Sequence, residues 1–251
     1  MKQYILTPNL PKNTVNTVIL SGEISPESEY ILNEYGICCI KTPQNAALYN
    51  SVAYHADMVM HHIGGSVIIC EPSFCKCLEA LTPIPNVRLG NKISEKYPLD
   101  IAYNAARVGK YLICNEKYTQ GQIIQYCRNN GITIINVKQG YAKCSVCIID
   151  EHSIITSDAG IAAAVKRYDI DVLFTDDCGV KLKGLNHGFF GGATGKISPD
   201  KLAVNGNIKY HKCCNEIKAF AGKRGVEIVS LNTNDIEDIG SILPILEKAS
   251  I

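Results

Sequence analysis

The sequence predicts an α/β fold, a closed five-module ring of strand–strand–helix–strand (ββαβ) units with pseudo-fivefold symmetry. Three observations lead to this prediction. Apolar runs typical of strands alternate with amphipathic helical stretches along the 251 residues. Four copies of this pattern open at positions about 43 residues apart, a regularity that marks an internal repeat. A fifth copy is split between the two ends of the chain, and completing it would leave no exposed sheet edge.

The clearest copy opens at Asp100 with an extended segment over residues 100–104. A strand is predicted over residues 110–114, followed by an amphipathic helix over 119–129 with apolar residues at helical spacing. A glycine comes directly after this helix and favours its termination, because glycine adopts the left-handed conformation without steric cost. A β-branched run over residues 132–137 then predicts a buried strand.

Three further copies open at Asp57, Cys144 and His187. They contain predicted helices over residues 74–81, 159–168 and 212–223, respectively. The split copy has a strand, a helix and a strand near the N-terminus, predicted over residues 15–20, 26–34 and 37–40. Its missing first strand is predicted over residues 238–243, near the C-terminus. Because no linker interrupts the pattern, we expect a single domain over residues 1–251.

Composition excludes several classes of protein. The formal charge of +1 provides no excess of lysine or arginine to neutralise phosphates, so no nucleic-acid partner is expected. No run of 18 apolar residues predicts a membrane span, and the first residues lack the apolar centre of a signal peptide. The 12 cysteines lie mostly within apolar runs, which is typical of reduced core cysteines. We therefore expect a cytoplasmic protein without disulfides.

The opening residues of the modules are chemically reactive types. In a ring, the starts of the five first strands would meet near the axis. Unpaired charged groups are a costly way to fill such an axis, so their presence suggests a site rather than simple packing. The candidates are His55, Asp57, Asp100, Cys144, His187, Glu237 and Asp238.

Two short motifs carry a resemblance to a known superfamily. His55-Ala56-Asp57-Met58-Val59 resembles the opening of the histidine module, and residues 140–146 resemble the Gly-x-x-x-Cys opening of the nucleophile module, of the pentein-fold guanidine-modifying enzymes. These include arginine and agmatine deiminases, dimethylarginine dimethylaminohydrolases and amidinotransferases. As in that family, the cysteine module comes two modules after the histidine module, although here the order along the chain is circularly shifted.

The resemblance implies a hydrolase or transferase that forms a covalent cysteine intermediate with a small substrate carrying a guanidine or amidine group. It implies Cys144 as nucleophile, His55 as general acid and base, and Glu237 or Asp238 as the carboxylate partner. Asp57 would bind the guanidinium, with Asp100 and His187 as further candidates for substrate binding. An alternative register around residues 140–146 would place Lys143 at the nucleophile position, which would mean no catalysis.

Other functions remain open at this stage. A catalytically silent ring that binds a partner, as in a ribosome anti-association factor of similar fold, is the main alternative, and a small-molecule sensor is another. The glycine-rich residues 187–195 lack the ending of a P-loop and the spacing of a dinucleotide fingerprint, so no cofactor is predicted. Cys144 and Cys147 have no second pair at zinc-site spacing, so no metal is predicted either.

Overall fold

The computed structural model describes residues 1–175 and 179–249. The split copy of the repeat begins the chain with β1 (Lys2–Tyr4), β2 (Val15–Ser21), α1 (Pro26–Glu34) and β3 (Cys38–Thr42). The Ser25 side chain accepts a hydrogen bond from the Ser28 N–H, which caps α1, and a proline occupies its first turn. The boundaries of this helix are those predicted from the sequence.

The next two copies follow the same plan. A 3₁₀ helix at Asn50–Val52 leads to α2 (Ala56–Val59), β4 (Met60–Gly64), β5 (Val67–Cys70), a second 3₁₀ helix (Pro72–Ala80) and β6 (Asn86–Leu89). The copy that opens near Asp100 contains β7 (Ala106–Val108), β8 (Tyr111–Cys114), α3 (Gly121–Asn129) and β9 (Thr133–Asn136).

The remaining copies complete the chain. The fourth contains α4 (Ala142–Ser145), β10 (Cys147–Asp150), β11 (Ser153–Thr156), α5 (Ala159–Val165), β12 (Asp171–Phe174) and the short β13 (Val180–Lys181). The last contains 3₁₀ helices at Phe190–Ala193 and Ile208–Tyr210 together with β14 (Thr194–Ser198), β15 (Lys201–Val204), α6 (Cys214–Gly222) and β16 (Glu227–Ser230). The short β17 (Ile236–Glu237) and β18 (Leu243–Lys248) follow, and β18 pairs with the split copy.

Five small sheets share one topology. In each, the first strand pairs antiparallel with the second, and the second pairs parallel with the third through a helical crossover. The strand orders are β4-β5-β6, β7-β8-β9, β10-β11-β12, β14-β15-β16 and β18-β2-β3, with β1 added outside β18. The described chain therefore has the mixed α/β character that the repeat predicts.

The first strand of each copy starts later than predicted. Asp57 and Cys144 lie on the single helical turns α2 and α4, and the strands begin only after those turns. Residues 238–243 were likewise predicted as a strand, but the strand that pairs with β2 is β18 (Leu243–Lys248). One turn of helix is too short to show a 3.6-residue period, so the apolar alternation concealed it.

The strand β18 lies between β1 and β2. Its register pairs Lys2 with Lys248 and Ile19 with Leu243. The Glu247 carboxylate is almost fully buried and accepts hydrogen bonds from the backbone N–H groups of Lys12 and Asn13 at 2.6 and 2.8 Å. These bonds replace the water that a buried carboxylate loses.

Apolar side chains fill the space between the sheets and their helices. The largest of the described buried clusters packs β4, β5 and α3 around Met58, Phe74 and Tyr103, and Met58 and Tyr103 are the sequence neighbours of Asp57 and Asn104. No helix within residues 1–175 and 179–249 is both long and apolar enough to cross a membrane.

Candidate active site

Cys144 lies on the turn α4 at the meeting point of three modules and is almost fully buried. Its thiol donates a hydrogen bond to Oδ2 of Asp57 at 3.1 Å, and its Sγ accepts one from Nδ2 of Asn104 at 3.2 Å. The side-chain Oδ1 atom of Asn104 also accepts a hydrogen bond from the backbone N–H of Lys143 at 2.7 Å, which fixes α4 against the segment of Asn104. The sulfur therefore has a proton acceptor on one side and an amide donor on the other.

His55 and Asp238 come to the same point from two other segments. His55 Nδ1 lies 4.0 Å from Asp238 Oδ1, and both side chains are buried. One ligand-type atom each of His55, Cys144 and Asp238 lies within 4.8 Å of the others. The Nδ1 atom of His55 has no hydrogen-bond partner in the described structure, so it is available to a substrate or to Asp238 after a small shift.

A cavity of about 300 Å³ opens onto these three groups. Its walls are mainly aromatic and aliphatic, and His187 lies at its exposed edge beside Phe189. A mostly apolar cavity with a few convergent polar groups is the usual form of a small-molecule site.

A chain of polar groups lies behind the sulfur. The Lys143 ammonium donates to Ser241 Oγ at 2.9 Å, and this hydroxyl donates to Asp57 Oδ2 at 2.7 Å. Ser241 has a backbone φ of +73°, a conformation that a non-glycine residue adopts at a cost. Its backbone N–H donates to the Gly192 carbonyl, which helps to hold that conformation. The Oδ2 atom of Asp57 is thus held by hydrogen bonds from two segments, those of Cys144 and Ser241.

Two glycines allow this close packing. Gly240 has a φ of +69°, and a Cβ there would overlap the side chain of His55. A Cβ on Gly192 would overlap the carboxylate of Asp238. Because glycine has no Cβ, the backbone at these two positions approaches the side chains of His55 and Asp238 more closely than it could with any other residue.

The segments that precede the five first strands contact one another in sequence. Asn104 donates to Met58 Sδ and contacts Cys144, and the backbone around Cys144 lies against Gly191. The Gly192 carbonyl accepts hydrogen bonds from the backbone N–H groups of Ile239 and Ser241, and the Gly240 carbonyl accepts one from the N–H of Asp57. This last bond leads back to the segment of Asp57 and Met58, where the series began.

Burial controls the electrostatics of the site. Loss of water, reinforced by the carboxylates of Asp57 and Asp238, raises the pKa of the Cys144 thiol well above its usual value, so the resting sulfur is protonated. Burial lowers the pKa of His55, although the Asp57 carboxylate opposes this change. Burial also raises the pKa of Asp57. A cation that enters the cavity would stabilise the ionised forms of the sulfur and of both carboxylates, and so would lower their pKa values.

The protonation of Asp238 predicts a pH dependence of stability. Burial raises its pKa to about 6, against the hydrogen bonds from the N–H groups of Gly240 and Phe189, which lower it. The folded state therefore holds this proton more tightly than the unfolded state does, whose pKa is near the ordinary value. Stability is then lost as pH rises from about 4 to about 6, by about 3 kcal/mol from this group.

We expect Asp238→Asn to remove this component. Chemical denaturation at several pH values should show a smaller fall in unfolding free energy between pH 4 and pH 6 in the variant than in the wild-type protein. Asp235→Asn, at an exposed carboxylate paired with Lys181, is the control and should keep the wild-type slope. Equal slopes for the wild-type protein and Asp238→Asn would contradict the assignment.

The structure separates the predicted site residues into two groups. Cys144, His55, Asp238 and His187 line the cavity, whereas Asp57 lies behind Cys144. Asp100 is buried and does not line the cavity, but its Oδ2 accepts the hydroxyl of Tyr141, which does. Glu237 is exposed and lies on a separate, shallow surface beside Lys181 and Asp235, so of the two predicted carboxylates it is Asp238 that lies beside His55 and Cys144.

Lys143 and Cys144, the two residues that compete for the nucleophile position, point in different directions. The sulfur lines the cavity, while the ammonium of Lys143 points to Ser241, away from it. Sequence reasoning missed Asn104, Ser241 and Tyr141. Asn104 closes the opening segment of its module and Ser241 follows Asp238 closely, so position in the repeat was the only signal available for them.

The His55–Cys144–Asp238 cluster also has the donor types of a transition-metal site. Imidazole, thiolate and carboxylate are the ligands that zinc uses in proteins, and the three atoms are close enough to share one ion. Any measurement of the thiol therefore needs a chelator.

Comparison with known sequences identifies the family of the chain. A family of unknown function, DUF6873, matches residues 19–243. The chain belongs to this family. The match spans all of the candidate site residues described above, from His55 to Ser241. No curated protein matches the sequence of this DUF6873 member.

Solved structures similar to this DUF6873 member are amidinotransferases and dimethylarginine dimethylaminohydrolases. Inosamine-phosphate amidinotransferase from Streptomyces griseus aligns with a TM-score of 0.56 over 99% of this chain and 98% of that chain, at 10% identity. The dimethylarginine dimethylaminohydrolase of Pseudomonas aeruginosa, solved with citrulline, gives 0.56 over 88% and 93%, at 7% identity. An amidinotransferase of saxitoxin biosynthesis from Microseira wollei gives 0.51 over 90% and 91%, at 11% identity.

These similarities confirm the predicted resemblance to the pentein superfamily at the level of the fold. Because the identities are low, the similarity alone carries no activity to this chain.

Proposed function

We propose that this protein is a cysteine-dependent enzyme that modifies a guanidine or amidine group, as a hydrolase or a transferase. One observation carries the proposal: Cys144, His55 and Asp238 converge within 4.8 Å of one another at the wall of an open cavity. A nucleophile, a proton carrier and a carboxylate in this arrangement match the requirements of covalent catalysis. The fold, shared with enzymes of this chemistry, supports it.

We further propose that the five sheets surround one axis in a closed ring, with the site on that axis. The series of contacts that runs from Asp57 through Asn104, Cys144 and Gly192 back to Gly240 supports this arrangement. The insertion of β18 beside β2 supports closure of the split module by the C-terminal strand.

Substrate binding is the first step of the proposed reaction. A planar guanidinium enters the cavity, and the carboxylate of Asp238 accepts its N–H groups, whereas Asp57 acts from behind Cys144. The positive charge lowers the cost of ionising Cys144, whose proton passes by way of Asp57, its hydrogen-bond acceptor in the resting site, to the neutral imidazole of His55. Asn104 then stabilises the thiolate through the amide bond it already makes.

Bond exchange at the guanidine carbon follows. The Cys144 thiolate adds to that carbon, and the C–N bond to one nitrogen breaks as the nitrogen takes a proton from His55 and leaves as an amine or ammonia. The product is a covalent S-amidinyl adduct. His55 then accepts a proton from an incoming water or amine, which attacks the same carbon and displaces the sulfur. The proton returns from His55 by way of Asp57 to the sulfur, which restores the resting thiol. Water gives hydrolysis, and an amine gives transfer.

Affinity labelling tests the proposal directly. 2-Chloroacetamidine is cationic, and 2-chloroacetamide is its neutral isostere; with either, the thiolate forms an S–C bond and releases chloride. The rate ratio between the two reagents at Cys144, divided by the same ratio at exposed Cys38, removes the intrinsic difference between them. Because two carboxylates adjoin the sulfur, we expect a normalised ratio of roughly 100. Peptide mass spectrometry in the presence of EDTA gives the site-specific rates.

A normalised ratio near 1 would contradict the proposal. Together with slow labelling of Cys144 by both reagents, it would favour the alternative, a catalytically silent ring that binds a partner. Asp238→Asn, which keeps the size of the side chain, should bring the ratio down by roughly tenfold because half of the negative charge is removed.

A further inference from the structure

The walls of the cavity away from Cys144 are apolar and aromatic. They consist mainly of Tyr49, Val52, Tyr141, Leu182, Leu185 and Phe189. The polar groups near the reactive sulfur are the imidazole of His55 and the carboxylate of Asp238, and the side chains of Asn186 and His187 lie at the exposed edge of the cavity. The part of a substrate that is attached to the guanidine would therefore contact mainly apolar side chains in the far end of the cavity.

Positive side chains near the cavity have other partners. Among the residues that the structure describes, no lysine or arginine lines the cavity. Lys183 lies in the segment between Leu182 and Leu185, but its ammonium forms an ion pair with Glu23 at 2.7 Å. The ammonium of Lys143 is held by Ser241 behind the sulfur.

A substrate carboxylate would be poorly accommodated here. It would lose water on entering, find no lysine or arginine among the described lining residues, and lie in the field of Asp238. An apolar tail would instead gain from contact with the aromatic walls at about 25 cal/mol per Å² of buried area. The volume of about 300 Å³ is at the lower end for small-molecule cavities, so the tail must be short.

We propose that the substrate is a small guanidine or amidine whose remaining part is apolar and bears no carboxylate. This assignment rests on the proposed function and specifies its substrate class. It distinguishes alkylguanidines from arginine and its derivatives, which carry an α-carboxylate.

Three compounds, arginine, agmatine and n-pentylguanidine, distinguish a zwitterionic, a cationic and an apolar tail. Agmatine is arginine without its carboxylate, and n-pentylguanidine has a methyl group in place of the terminal amine of agmatine. Each is tested for protection of Cys144 from 2-chloroacetamidine, and for release of its amine or ammonia. The half-protecting concentration is the one that halves the labelling rate of Cys144. We expect this concentration to be at least tenfold lower for n-pentylguanidine than for arginine, and no higher than that for agmatine.

Each other result overturns a defined part of this assignment. Arginine protecting at an equal or lower concentration would overturn the exclusion of carboxylates while leaving the guanidine chemistry in place. Agmatine protecting tenfold better than n-pentylguanidine would overturn the apolar tail in favour of a cationic one. No protection by any of the three, together with a normalised labelling ratio near 1, would overturn the proposed function itself.

A charge-insertion variant gives an independent test. Leu185 lines the cavity but is 49% exposed, so Leu185→Arg adds a guanidinium that can pair with a substrate carboxylate without disrupting the core. We expect the half-protecting concentration of arginine to fall about tenfold relative to that of n-pentylguanidine. Leu99→Arg, at an exposed leucine outside the cavity, should leave this ratio unchanged. An unchanged ratio in Leu185→Arg would count against the assignment.

Discussion

Replacing Cys144 by alanine is expected to lower turnover of a guanidine substrate by at least about four orders of magnitude while the protein stays folded. The sulfur is the only group placed to form the covalent bond among the described residues that line the cavity. Without it, His55 and Asp238 can bind and orient a guanidinium but cannot attack it. Release of amine or ammonia from the best compound of the guanidine series measures the effect.

The control for this substitution is Cys127→Ala. Cys127 is equally buried but lies on α3, away from the cavity. Both variants should unfold within about 2 kcal/mol of the wild-type protein, because each loses one sulfur from a packed interior. Turnover by Cys144→Ala at the rate of Cys127→Ala would remove the nucleophile assignment.

A single methyl group at Gly192 should have the second-largest effect. Alanine there would overlap the carboxylate of Asp238, which cannot move outward because it is buried and held by the N–H groups of Phe189 and Gly240. We expect Gly192→Ala to lose about 1–3 kcal/mol of unfolding free energy from overpacking. Activity should fall at least about 100-fold, because a displacement of 1 Å at a reacting group has that effect.

Gly222→Ala is the matched control. Gly222 ends α6, and a Cβ there would meet nothing within 4 Å. Alanine in a helix is favoured over glycine by up to about 1 kcal/mol, so this variant should be as stable as the wild-type protein or more stable, with normal activity. If Gly192→Ala is as active as Gly222→Ala, the carboxylate of Asp238 is not needed where the structure places it.

The repeat made much of this architecture predictable. The second strand, helix and third strand of a module leave strong signals, because long apolar runs and a helix of two or more turns have clear periods. The predicted strand over residues 110–114 and the strand over 132–137 correspond closely to β8 and β9. Of the reactive residues at the module openings, His55, Cys144 and Asp238 lie together, whereas Asp100 and Glu237 lie away from the cavity.

The details of the site could not be predicted in the same way. The turns α2 and α4 are one helical turn long, and their conformation is set by contacts between modules rather than by local preference. The choice of Asp238 over its neighbour Glu237 depends on which of two adjacent side chains faces inward at the end of β17. The role of Asn104 arises only when the neighbouring module is packed against it.

The position of β18 between β1 and β2 has a consequence for how the chain folds during synthesis. Its pairing joins residues more than 220 positions apart in the sequence, as in Leu243 with Ile19, so it is among the last contacts that a growing chain can form. Until β18 leaves the ribosome, β2 lacks one of its two neighbouring strands, and an unpaired strand edge invites aggregation. Asp238 and Ser241 directly precede β18, so the step that completes the sheet also delivers the last two groups to Cys144. A chain that has not finished folding therefore has a cysteine but no assembled site around it.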